Sequence, residues 1–299
     1  MRFLAIFAAA VVLTPLAALA QTDREDVDRA ACAELVKSFS LIETTADSTI
    51  EDIDAGCRVT NVFAGTSSYN RYRIGSATLT APDLFTRDLK DALPSELDLA
   101  ITGFQIAPDT GSLLNNYIIE NQSEPLNIHL SYRWDKAAQT AELTDLSVTS
   151  PGYGSFRIEG RLSEIDLDRF VDAAADFPGA IDAVTVEIVN ARFFSAMTVP
   201  ALLGLLPYDS DPRPLVADYK KAAIAFIAAL PTDNMADESK AALGALVESF
   251  PRMEGDYVVQ MRADPPLALT TLTGGNPAEI TGLIARMQIS AEHTPAVQP

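Results

Sequence analysis

Basic residues are scarce in this chain. Lys and Arg number 22 against 41 Asp and Glu in 299 residues, giving a net charge of −19. A protein that grips nucleic-acid phosphates needs a basic footprint, so no nucleic-acid partner is expected. Charge attraction to an anionic lipid surface is disfavoured for the same reason. Histidine is scarcer still: there are two, His129 and His293, and neither stands at a ligand spacing from a cysteine. No metal site is expected from so thin a donor set. There is no P-loop with its lysine and no G-x-S-x-G turn, and no cofactor is expected. After the first twenty residues no apolar run is long enough to span a bilayer. Fixed-period repeats and low-complexity linkers are also lacking. What is there is ordinary globular composition, 48% hydrophobic and 21% charged, which excludes a disordered or collagen-like chain. A chain of this length buries enough surface to hold a core without a disulfide mesh.

The N-terminus reads as an address. Arg2 supplies a positive start, Phe3 to Leu13 is apolar, Pro15 breaks the run, and Ala18-Leu19-Ala20 is a small-x-small cleavage site. This is the layout of a secretory signal peptide over residues 1–20, cleaved after Ala20. The apolar run is short for a membrane span and holds a proline, so no transmembrane anchor is expected after cleavage. The expected compartment is the periplasm or the exterior.

Both cysteines, Cys32 and Cys57, fall in the mature chain. An even count in an exported protein favours a disulfide, with two buried free thiols as the alternative. Cys32 lies in an expected helix and Cys57 opens an expected strand. A bond between them would staple the N-terminal helix to a sheet. The C-x-x-C spacing of a redox-active pair is missing.

Hydrophobic spacing divides the chain. Thr22-x-x-Glu25 is a capping box, and Val27, Ala31, Leu35 and Phe39 follow at helical spacing, so residues 22–39 read as a helix. The polar stretch Glu43–Asp54 reads as a loop. From Cys57 to Asp166 the period becomes two. Strands are expected over Arg58–Phe63, Tyr69–Thr80, Leu97–Ile106, Leu126–Trp134, Ala141–Thr149 and Ser155–Leu162. In Leu97–Ile106 the phase changes at Gly103, which suggests a β-bulge. Two helices interrupt this half, Pro82–Leu93 and Ser112–Ile119. Beyond Asp166, helices are expected over Leu167–Phe177, Val199–Leu206, Leu215–Leu230, Asp237–Phe250 and from Asn276-Pro277 to Met287. Strands are expected over Val184–Phe194, Tyr257–Arg262 and Leu267–Leu272. Residues 291–299 read as a flexible tail. Strands that do not alternate regularly with helices indicate α+β. The expected architecture is an antiparallel β-meander with helices packed on one face and a helix-rich C-terminal half. It forms either one domain over 21–290 or two intimate lobes, 21–166 and 167–290.

Catalytic chemistry is hard to find. His129 sits on the polar side of its strand with Asn127 and Ser131, and reads as a solvated sheet-face histidine. The acidic clusters Glu25/Asp26/Asp28, Glu51/Asp52/Asp54, Glu164/Asp166/Asp168 and Asp209/Asp211 fall at helix starts or in loops, where acids favour the helix dipole and solvation. Thr273-Gly274-Gly275-Asn276 reads as a strand-to-helix turn. No catalytic residue is assigned. The more suggestive feature is apolar. Val199–Leu206 and Leu215–Leu230 are two hydrophobic helices that either cover a sheet or wall a groove for a lipid-like ligand. Leu202, Leu205, Tyr219 and Phe226 are the candidate ligand-binding residues.

The run from Tyr132-Arg-Trp-Asp135 through Ala141-Glu-Leu-Thr-Asp-Leu-Ser-Val148 to Gly154-Ser-Phe-Arg-Ile-Glu-Gly160 is strand, turn, strand, glycine turn, strand. It resembles meander segments of uncharacterised exported proteins of alphaproteobacteria, and more distantly the β-groove segments of AsmA-like envelope proteins. The resemblance covers about 40 residues, rests on alternation and glycine, and implies an envelope role without site residues. The leading expectation is a soluble exported binding or interaction module that accommodates a hydrophobic, lipid-like ligand. An envelope protein that acts through a protein partner is the alternative. A hydrolase is third, and would need His129 or a carboxylate pair to converge in a cleft.

Overall fold

The structure, a computed structural model, describes residues 31–39, 41–82, 93–170, 179–193, 211–269 and 286–296, with a few single positions between these stretches. The segment read as a signal peptide, the Thr22 capping box and Leu202 and Leu205 lie outside them. So do the Thr273–Asn276 turn and nearly all of the helices expected over Pro82–Leu93, Val199–Leu206 and 276–287.

Strands form wherever the period-two pattern runs. In chain order the elements are α1 (Ala31–Ser38), β1 (Ile42–Glu43), β2 (Thr49–Ile53), β3 (Gly56–Gly65), β4 (Arg71–Thr80) and β5 (Glu96–Ile106). Then come α2 (Leu113–Gln122), β6 (Leu126–Asp135), β7 (Thr140–Ser150), β8 (Gly154–Ser163) and β9 (Ala180–Val189). The chain closes with α3 (Pro212–Ala229), α4 (Asp237–Ser249), β10 (Asp256–Ala268) and β11 (Met287–Thr294). All eleven strands lie in one antiparallel sheet. From β3 to β11 each strand pairs with the next, while β1 and β2 both pair with β3. The α+β class and the antiparallel meander are therefore present.

Several expectations need correcting. A helix-rich C-terminal half is not found: that half holds β8, β9, β10 and β11 beside α3 and α4. The polar stretch Glu43–Asp54 holds β2 and the end of β1, because backbone pairing to β3 outweighs its weak hydrophobic signal. Leu267 does not open a new strand but continues β10 past a register shift between Arg262 and Leu267. The strand expected to reach Phe194 stops at Val189. The tail expected from 291 is instead the second half of β11, where His293 stacks on Tyr257 with ring centroids 4.4 Å apart. Pairing with β10 supplies the order that its polar sequence hides.

The Gly103 bulge belongs to a longer line. Thr60 pairs with Ser76, and Ser76 with Thr102, so Asn61, Gly75 and Gly103 are neighbours across β3, β4 and β5. Asn61 has φ 51° and Gly103 φ 66°, both left-handed. A Cβ on Gly75 would lie 3.1 Å from the Thr102 carbonyl. The alternation reverses at this line. Val59 and Val62 both reach the same core cluster, as do Ile101 and Phe104, although residues three apart in a regular strand face opposite ways. The Gly103 N–H donates to Asn127 Oδ1 at 3.2 Å.

The disulfide joins Cys32 to Cys57 and ties α1 to β3. Around it Cys32, Cys57 and Ala81 are buried, with Leu35, Phe39, Ile50 and Leu79 packed on them. Asp52 Oδ1 accepts from the Cys32 N–H at 3.2 Å. At the other edge, Asn234 between α3 and α4 accepts from the Ile289 N–H at 2.8 Å, and Ser239 Oγ of α4 accepts from the Ala291 N–H at 3.0 Å. The helical hairpin thereby occupies backbone donors on the outer side of β11, which covers an edge open to mispairing.

Candidate functional site

Register in the meander sorts side chains into rows that run across the strands. One row is apolar over nine strands: Cys57, Leu79, Leu99, Leu130, Leu146, Ile158, Val186, Val259 and Ala291 face one way. The next row on that face includes Ile101, Ile128, Val148, Phe156, Ile188 and Tyr257. The alternation in the sequence dictates this, since residues i and i+2 share a face.

Helices cover the two ends of this face. Over β3 and β4, Val36 of α1 packs with Val59, Val62 and Ile74. Over β9 and β10, Leu246 of α4 and Phe250 just after it pack on a cluster holding Ile188 and Tyr257. Between them Leu99, Leu146, Val148, Ile158 and Val186 are half-buried, while Ile128 and Leu130 in the same rows are buried. This partly covered apolar strip is the candidate floor for an apolar ligand. Each ~100 Å² of such surface taken out of water is worth about 2.5 kcal/mol.

One end of these apolar rows is capped. The connection after β8 folds Ile165 against Trp134 and Ala141, with Leu162 and Leu167 beside them. Tyr132 Oη donates to the Pro94 carbonyl at 3.0 Å on the same side. The Trp134 indole N–H is buried and finds no acceptor among the described residues. A buried donor of this kind is expensive unless something accepts from it.

The opposite face is polar, and there His129 is more than a solvated histidine. Its Nδ1 lies 2.5 Å from Asp145 Oδ2 and its Nε2 lies 2.8 Å from Asp98 Oδ2. Arg157 Nε donates to Asp145 Oδ1 at 3.0 Å, and Arg157 Nη2 reaches Glu159 at 2.6 Å. Burial opposes a charge on His129, but the hydrogen bonds to Asp145 and Asp98 outweigh it and raise its pKa. Burial likewise opposes the Asp145 carboxylate, and the bonds from His129 and Arg157 outweigh it and lower its pKa. Ser147 Oγ donates to Asp145 Oδ2, not to the imidazole. With both ring nitrogens held by carboxylates, His129 offers no lone pair to take a proton from a serine. The alternation in β5, β6 and β7 puts these groups on one face. The sequence reading missed the cluster because its members come from different strands.

No family model matches this chain, and no curated protein or solved structure is similar to it.

The residues named from the sequence fall as follows. Tyr219, on α3, is 60% exposed, and Phe226 is half-buried. Helix α3 packs on α4. A hollow of about 370 Å³ between these two helices is lined by Ile224, Ile227, Ala228, Asp237, Lys240, Ala241 and Gly244. Neither Tyr219 nor Phe226 lines it. The sheet floor itself was not singled out, although its alternation was legible. Cys32, Cys57 and Asp52 stand close enough together to suggest a metal cluster. The two sulfurs are bonded to each other, so neither offers a thiolate. No helix among the described residues is long and apolar enough to cross a membrane.

Proposed function

We infer that this chain is an exported envelope module that lays a hydrophobic, lipid-like ligand along the apolar face of its sheet. The observation that carries the reading is the half-buried floor of Leu99, Leu146, Val148 and Ile158 between α1 and α4. An apolar face that is only partly covered leaves some of its surface in water, and an acyl chain takes that surface out of water without needing directional partners. The disulfide and the signal-like N-terminus support an oxidising, exported setting. The resemblance to the β-groove segments of AsmA-like proteins points the same way.

The test is native mass spectrometry with organic extraction on protein purified from the exported fraction. A stoichiometric adduct that extracts as lipid is expected, and Ile158→Glu should lose it. A clean apo monomer would overturn the reading and turn attention to an envelope protein as the occupant of the same face, sought by crosslinking in whole cells.

A further inference from the structure

Nine large apolar side chains stand exposed among the described residues, and eight of them lie at one end of the sheet. This end is where β3 passes to β4, β5 to β6, β7 to β8, and where β9 finishes. Four of the eight belong to α2: Leu113 is 88% exposed, Leu114 67% and Tyr117 64%, with Ile118 beside them. No residue of α2 is buried. Tyr69, 76% exposed, and Tyr153 tip the turns on either side. Ile106 and Val189 are exposed at the strand ends. The ninth, Tyr219, sits on α3.

A ten-residue helix does not hold itself together in water, yet α2 is fastened firmly. Ser112 caps it, with Oγ accepting from the Asn115 N–H. Thr110 Oγ1 donates to Asn116 Oδ1 at 2.7 Å. Gln105 Nε2 donates at 2.7 Å to the carbonyls of Glu120 and Ser123, tying the far end of the helix to β5. The fastening is polar and the apolar side chains point away from it. Their exposure is therefore a fixed feature of this end.

Charge at this end is confined mainly to the β9–β10 side, where Arg192 pairs with Glu254 and Asp256 lies beside them. Residues 66–70 and 151–153 hold no charged residue, and 107–125 hold Asp109, Glu120 and Glu124 but no base. The turns at the opposite end carry Asp54, Asp135, Lys136, Glu164, Asp166 and Asp168. From β3 to β9 there are six strand spacings, so the apolar rim runs about 29 Å. Tyr69, Tyr117 and Tyr153, with Leu113, Leu114 and Ile118 of α2, spread along this rim and suit a lipid interface, where tyrosine keeps its hydroxyl among the headgroups.

We propose that this rim docks the protein onto the surface of a lipid bilayer of neutral or zwitterionic headgroups. With no base on α2 and a net charge of −19, contact is apolar, and anionic lipid repels it. The proposal extends the ligand reading, because a groove loaded with lipid needs access to a membrane, but its evidence is separate.

The experiment is cosedimentation of the mature protein with phosphatidylcholine vesicles, and with vesicles in which a third of the lipid is phosphatidylglycerol. Binding to the neutral vesicles is expected, at least threefold weaker on the anionic ones, with part of that loss recovered in high salt. The double variant Leu113→Asp/Leu114→Asp should lower binding at least tenfold. Tyr69→Ser and Tyr153→Ser should each lower it about threefold, and Tyr219→Ser should leave it unchanged. These side chains are exposed, so circular dichroism and melting should match the parent protein. Failure to bind any vesicle overturns the docking. Binding that survives the α2 variant, or that falls equally with Tyr219→Ser, also overturns it. A protein captured on the rim in place of lipid does the same. The extracted adduct is read on the protein without vesicles, so loss of either result leaves the other standing.

Discussion

Nδ1 of His129 lies 2.5 Å from Oδ2 of Asp145, on the face of the sheet away from the apolar rows. The pair binds β6 to β7, and Asp98 and Arg157 extend it onto β5 and β8. Its raised and lowered pKa values set the sign of a pH effect. The His129 contribution is whole below pH 6.5 and is lost as pH rises through the raised value. The Asp145 contribution is present above pH 3.8 and is lost as pH falls through the lowered value. The network is therefore strongest between those limits. His129 is about a third exposed, and solvent screening holds its worth to about 1 kcal/mol. His129→Gln should lower the melting temperature by about 2–4 °C at pH 5. The difference should shrink toward pH 9, read by thermal unfolding across the pH range.

The disulfide spans 25 residues of sequence. Chain-entropy bookkeeping for a loop of this size gives about 3.5 kcal/mol. Cys32→Ser/Cys57→Ser should lower the denaturation midpoint accordingly, and reduction of the parent protein should do the same. Intact mass should rise by two hydrogen atoms on reduction. Thiol labelling of the unreduced, unfolded protein would refute the bond.

Ile158 lies in the half-open floor, paired with Leu146 and Val186. A glutamate there keeps contact with water, so the fold should survive, at a cost of about 1–2 kcal/mol. The extractable adduct should vanish. Arg161→Gln, on an exposed side chain of the same strand, should keep it.

Gly103 shows how far the sequence could be read. Its phase change was visible because apolar residues on both sides of it are regular, and the bulge lies where the phase breaks. Asn61 and Gly75 belong to the same line, but no pattern in either strand alone marks them. The line exists only once register is known. The six strands from Arg58 to Leu162 were legible for the same local reason. β1, β2 and the whole of β11 were not, because pairing with a neighbour orders polar residues that carry no hydrophobic signal. The His129 cluster and the apolar floor are register effects too. Gly103→Ala forces a Cβ into the left-handed region, where an L-residue costs about 1–2 kcal/mol. The melting temperature should fall, while Gly244→Ala, on a helix with nothing within 4 Å of the new Cβ, should hold or raise it.

Ser239 is buried, and its hydroxyl accepts the Ala291 N–H at 3.0 Å. That donor lies on the side of β11 away from β10. An open edge of this length offers unpaired N–H groups to any passing strand. Ser239→Ala removes the acceptor with the loss of a single heavy atom, which leaves a buried donor unsatisfied at about 1–3 kcal/mol. Two outcomes should appear together. Amide exchange at Ala291 should quicken relative to Val259, which is paired on the inner strand. The variant should also self-associate on concentration, read by light scattering. Faster exchange without association would mean that the rest of the α3–α4 hairpin is enough to cover the edge. Association without faster exchange would place the new contact somewhere other than β11.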